Sequence, residues 1–187
     1  MTGPLQKVWL RHLSLLFFTL TVAAMANGSE APLPTVSSVD LQRYAGKWYE
    51  IARYPNWFER NCVSDVTATY SVLPDGKIRV VNACKGKDGK LNESKGKAKS
   101  ADPRTNAKLK VTFFWPFYGD YWVIDLAPDY SYAVVSEPKR EYLWILSRSP
   151  QMNQADYDRV IGKIQSLGFD PVRLVKPQHS AAARPGN

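Results

Sequence analysis

The chain has 187 residues, a formal net charge of +8 and two cysteines. That length suits a single domain with its own core. The basic balance admits an anionic lipid surface or nucleic acid, and the export signal at the N-terminus makes nucleic acid the weakest candidate.

Lys7, Arg11 and His12 precede an apolar run over residues 13–25, and Ala24-Met25-Ala26 gives a small-x-small cleavage pattern. Residues 1–26 therefore read as a secretory signal peptide, too short and wrongly flanked for a stable membrane span. Cleavage after Ala26 leaves 161 residues with a net charge of +6, since the removed segment holds two basic residues and no acidic one. Lipoprotein processing needs a cysteine at the cleavage site. The cysteines are Cys62 and Cys84, so a soluble, periplasmic mature protein is expected. Two cysteines in an exported chain read as one disulfide.

Residues 27–38 contain Pro and Ser without periodicity, which predicts a flexible leader. A domain spanning 39–176 follows, opening with a helical turn over residues 39–45. Strands are predicted over residues 48–54, 63–72, 78–83, 93–99, 107–115, 121–126, 132–136 and 141–147. Leu73-Pro74-Asp75-Gly76 joins the second and third as a hairpin. In the fifth, Ala107, Leu109, Val111 and Phe113 fall on one face, with Lys108, Lys110 and Thr112 on the other. Eight strands with short turns predict an all-β, antiparallel up-and-down barrel, whose closure removes exposed edges. One helix is predicted over about residues 154–167. Asn153 is its N-cap, Gly168 its stop, and Tyr157, Val160, Ile161, Ile164 and Leu167 form its apolar stripe. It should pack outside the barrel. Residues 172–175 are expected as a short ninth strand and 177–187 as a disordered tail.

Three segments far apart carry a family resemblance. They are Gly46-Lys47-Trp48-Tyr49-Glu50, Asp129-Tyr130-Ser131-Tyr132 and Leu143-Trp144-Ile145-Leu146-Ser147-Arg148. Their order and spacing resemble the three signatures of the lipocalins, and within that family the bacterial outer-membrane lipocalins and apolipoprotein D. The resemblance implies a closed barrel floor built from Gly46, Trp48, Asp129, Tyr130 and Arg148, with the arginine lying across the indole. It departs from the family pattern at Ala127-Pro128, where a Thr commonly precedes the Asp.

If Trp48 and Arg148 point inward, alternation puts Glu50, Ala52, Trp144 and Leu146 inside as well. The resemblance to apolipoprotein D places Tyr70, Asn82 and Trp144 in a pocket. Even spacing then adds Ala68 and Val66, Val80 and Ile78, and Leu109, Val111 and Phe113. The expected ligand-lining set is Ala68, Tyr70, Val80, Asn82, Val111, Phe113, Trp144 and Leu146. Small Ala68, Gly96 and Ala98 favour an open cup, and the alternative is a barrel filled by its own side chains. Trp57 and Phe58 after the first strand, and Trp115, Phe117 and Tyr118 in a loop after the fifth, would ring the mouth, suiting contact with a membrane surface.

A binding protein is therefore expected rather than an enzyme, with no cofactor and no metal site. Its one histidine after the signal peptide is His179, and the chain has no glycine-rich phosphate loop. The resemblance implies a fatty acid or lysophospholipid as ligand. The rival readings are a lipid- or isoprenoid-directed enzyme and a filled interaction barrel.

Overall fold

The structure is a computed structural model that describes residues 31–180. The predicted signal peptide and residues 181–187 lie outside the described residues. Helix α1 (Leu41–Tyr44) leads into strands β1 (Gly46–Arg53), β2 (Ser64–Val72), β3 (Ile78–Lys85), β4 (Leu91–Ser100), β5 (Lys108–Phe114), β6 (Phe117–Leu126), β7 (Tyr132–Ser136) and β8 (Leu143–Ser147). Helix α2 (Gln154–Ser166) and a 3-10 turn (Pro171–Arg173) follow. The strands close into one antiparallel barrel in sequence order, with β8 returning to β1.

Alternation along the strands produces two apolar layers. The interior cluster includes Trp48, Tyr70, Val80, Leu109, Val123, Val135 and Leu146. A second cluster lies between the barrel wall and α2, joining Val134, Leu143 and Ile145 to Val160 and Ile164. Both helix residues are fully buried, which is worth about 1.5–3 kcal/mol each relative to exposure. Asn153 caps α2 by accepting from the Asp156 amide at 2.8 Å. Gly168, at φ +86°, turns the chain so that the Phe169 amide reaches back to the Ile164 carbonyl at 3.0 Å.

Five expectations need correction. The pairing of β1 with β8 slips between Glu50 and Ala52. The bulge reverses the alternation, so Ala52 joins the outer cluster instead of lining the interior. The stretch read as a flexible leader is pinned from Leu33 onward. Leu33 is buried, and the Val36 amide bonds the Val123 carbonyl at 3.0 Å. Two apolar side chains among the prolines suffice to anchor it.

The predicted ninth strand is a 3-10 turn followed by one bridge, Val175 to Arg53. Beyond it the chain stays attached through residue 180, where a disordered tail was expected. Gln178 bridges Ser64, and His179 Nε2 lies 2.7 Å from the Glu50 carbonyl. Ser180 bonds both carboxylate oxygens of Asp65. These groups answer polar atoms left free where β1 and β2 part, since those strands pair only over Gly46–Tyr49. Lastly, Trp115 and Pro116 alone form the turn between β5 and β6. Phe117 and Tyr118 belong to β6, so this is a hairpin tip rather than an aromatic loop.

Candidate functional site

Trp48 and Arg148 meet where β1 begins and β8 ends. Trp48 is wholly buried and donates through Nε1 to the Tyr44 carbonyl at 2.8 Å. The Arg148 guanidinium lies 3.8 Å from the indole centroid. It also donates to the carbonyls of Arg43 at 2.6 Å and Lys47 at 3.0 Å. Gly46 has φ +97°, and a Cβ there would stand 3.3 Å from Arg148 Nη1, so a side chain would strain the backbone and crowd the arginine. Asp129 fixes the β6–β7 turn by accepting from the Ser131 amide at 3.0 Å. Tyr130 packs against the interior cluster, and its hydroxyl accepts from the Asp40 amide at 2.9 Å.

Above the floor sits a group that alternation did not single out. The Tyr44 and Tyr121 hydroxyls are 2.8 Å apart, and those of Tyr70 and Tyr121 are 3.0 Å apart. Burial pushes Tyr70 up to about 12 and the other two well above the usual phenol value. All three are therefore neutral at physiological pH. Three hydroxyl protons serve two mutual hydrogen bonds, so one O–H remains to donate to a guest.

The wall brings the other predicted residues together. Ala68, Tyr70, Val80, Val111, Trp144 and Leu146 all belong to the interior cluster or pack against it. Asn82 pairs with Ala68 across β2 and β3, which puts it on the same face. Its Oδ1 is buried without a hydrogen-bond partner. Phe113 occupies space that had been read as open. A Cβ on Gly96 would meet its ring carbons at 2.9 and 3.0 Å, so Gly96 makes room for that ring rather than for a ligand.

Toward the mouth the bulge at Ile51 brings a charged cluster inward. Arg53 pairs with Trp144 in register, as Glu50 does with Leu146. Arg53 Nη1 bonds Glu50 Oε1 at 2.6 Å, and its Nε lies 3.3 Å from Glu59 Oε2. Glu59 also accepts from Asn56 at 2.6 Å and from the Trp144 indole at 3.2 Å. Burial, then the neighbouring Glu59, raises Glu50 to about 8 against the opposing pull of Arg53. Sequence reasoning reached Glu50 but missed Arg53, because alternation cannot anticipate a bulge, and Glu59, which lies in the connection between β1 and β2.

The rim is aromatic. Trp57, Phe58, Trp115, Phe117 and Tyr118 are all exposed, Trp115 at 82%. Cys62 and Cys84 are bonded, with Cα atoms 5.5 Å apart. Beside the bridge, the β2–β3 pairing shifts register between Ser64 and Thr67, with Asp65 at φ +52°. Among the described residues no group of three His, Cys, Asp or Glu could hold a metal ion.

The lipocalin-like domain model matches residues 39–179. The outer membrane lipoprotein Blc of Vibrio cholerae is 44% identical over 153 residues, covering 81% of this chain and 89% of the relative. Apolipoprotein D of Rattus norvegicus is 37% identical over 146 residues, covering 72% and 75%. Insecticyanin of the tobacco hornworm Manduca sexta superposes with a TM-score of 0.66 at 23% identity. It covers 81% of this chain and 87% of the insect protein, a likeness of fold.

Proposed function

This chain belongs to the lipocalin family, and on that premise we propose that its barrel binds and carries a small hydrophobic or amphipathic ligand, a fatty acid or a lysophospholipid. The observation that carries the reading is unused hydrogen-bonding capacity inside an apolar cup. Asn82 Oδ1 is a buried acceptor without a partner, and the tyrosine triad retains one donor. Buried polar atoms are nearly always satisfied, so an unsatisfied acceptor in a barrel interior supports a place for a guest. The rest of the lining supplies the affinity. Each buried CH₂ of an acyl chain contributes about 0.8 kcal/mol before ordering costs.

The role is that of a binding protein rather than a catalyst, working as a soluble carrier after export to the periplasm. Apolar lining then matters more than either polar handle. The test is displacement of a fluorescent fatty acid by natural lipids from the wild type, Ala68→Trp and Asn82→Ala. Ala68→Trp should nearly abolish binding with the fold intact. Asn82→Ala should weaken it by about 1 kcal/mol, the scale of one neutral hydrogen bond. Full affinity in Ala68→Trp would place the lipid elsewhere than the cup. No binding by the wild type would favour a barrel filled by its own side chains.

A further inference from the structure

We propose that the outer face of β3–β6, with the hairpin tip that crowns it, docks on an anionic lipid bilayer. Alternation turns Val80, Ala98, Leu109 and Val111 inward, so their neighbours face out. Across the middle of this wall the outward positions carry Arg79, Lys95, Lys97, Lys99, Lys108 and Lys110. Two carboxylates stand among them. Glu93 lies 4.0 Å from Lys95, and Asp120 lies 2.8 Å from Lys110. Like charges also face each other directly. Arg79 is the cross-strand partner of Lys97, and Lys99 of Lys110. Such pairs destabilise a sheet, and the attraction of an anionic surface laid against them offsets that repulsion.

The tip decides which anionic partner fits. Phe114, Trp115 and Phe117 are 81%, 82% and 78% exposed at a two-residue turn. A duplex nucleic acid, whose bases are already stacked, would leave these uncharged rings in water. A bilayer receives them at its interface while its headgroups meet the lysines. The two features are continuous, because Lys99 Nζ lies 4.9 Å from the Tyr118 ring centroid, just below the tip. The tip also stands on the rim of the cup, so docking would bring the mouth to the bilayer. The surface is defined without reference to any occupant of the barrel, and its test is separate from that of ligand binding.

The experiment is co-sedimentation of the full chain with vesicles of phosphatidylcholine alone and of phosphatidylcholine mixed with phosphatidylglycerol. The wild type should partition onto the mixed vesicles and far less onto the neutral ones. Lys97→Ser with Lys99→Ser should lower partitioning onto mixed vesicles by about thirtyfold and leave the neutral case unchanged. Trp115→Ser with Phe117→Ser should lower it roughly tenfold. All four side chains are exposed, so unchanged thermal melting is expected and checks the fold. Ala68→Trp, which addresses only the cup, should dock normally. Equal partitioning onto both vesicles, or none, overturns the proposal. So does duplex DNA that displaces the vesicles while the tip variant docks like the parent, which would make the wall a general polyanion surface.

Discussion

Replacing Trp48 by Ala removes the centre of the barrel floor, and its cost can be worked from the contacts. The indole is wholly buried, and large aromatic truncations in cores cost about 3–5 kcal/mol. Two further losses add to this. The Tyr44 carbonyl loses its 2.8 Å donor, and Arg148 loses the ring it covers at 3.8 Å, a contact worth about 0.5–2 kcal/mol. Arg148 still holds the Arg43 and Lys47 carbonyls, so part of that loss is absorbed. The net expectation is about 4 kcal/mol, or a fall in Tm of roughly 8–16 °C for a domain of this size. Trp48→Phe keeps most of the apolar volume and loses the indole donor. It should cost about half as much or less, near 1–2 kcal/mol. Arg148→Ala should fall between the phenylalanine and alanine variants. Thermal and urea unfolding of the oxidised protein reads all three. If Trp48→Ala melts within a few degrees of wild type, or if Trp48→Phe costs as much as Trp48→Ala, the floor does not hold the barrel as described.

Reduction of the Cys62–Cys84 bridge should cost up to about 2–4 kcal/mol, at the lower end here because the β2–β3 hairpin already constrains the loop. Alkylation of unreduced, denatured protein should label neither cysteine, and two labelled thiols would contradict the bridge. Asp65 is opposed by burial, but bonds from Lys85 and Ser180 outweigh it and lower its carboxyl to about 2. A depressed carboxyl stabilises above its ordinary value of 3.8 and loses that stability as pH falls toward 2. Asp65→Asn should flatten acid unfolding in that window, which urea midpoints across the range would read. Glu50 has the opposite sign. Its folded value near 8 exceeds 4.5, so its contribution is present below 4.5 and is lost as pH rises through 8. Glu50→Gln should remove that decline, and an unchanged slope between pH 4.5 and 8 would sink the assignment.

The barrel and the inward faces of most of its strands were legible in the chain for a physical reason. Period-2 alternation carries the inside and outside of each strand, and three short segments fix the floor. What alternation cannot carry is a change of phase. The bulge at Ile51 moved Ala52 to the outer layer and turned Arg53 inward, giving the mouth a charge cluster that no regular strand predicts. Gly96 shows a second limit. A small residue marks space, but Phe113, on the neighbouring strand, fills it. Tyr44 and Tyr121 were missed because their link to Tyr70 runs across the barrel between elements far apart in sequence. Residues 175–180 read as a short strand and a free tail because their partners, Arg53, Ser64 and Asp65, lie more than a hundred positions upstream.

The central claim is that the cup holds a lipid. Native mass spectrometry of the purified protein, with and without added lysophospholipid or fatty acid, tests it most directly. The expected result is a one-to-one lipid adduct on the wild type and on Asn82→Ala that is lost from Ala68→Trp. A wild-type protein that stays bare with both lipids, or an Ala68→Trp protein that keeps the adduct, would contradict it.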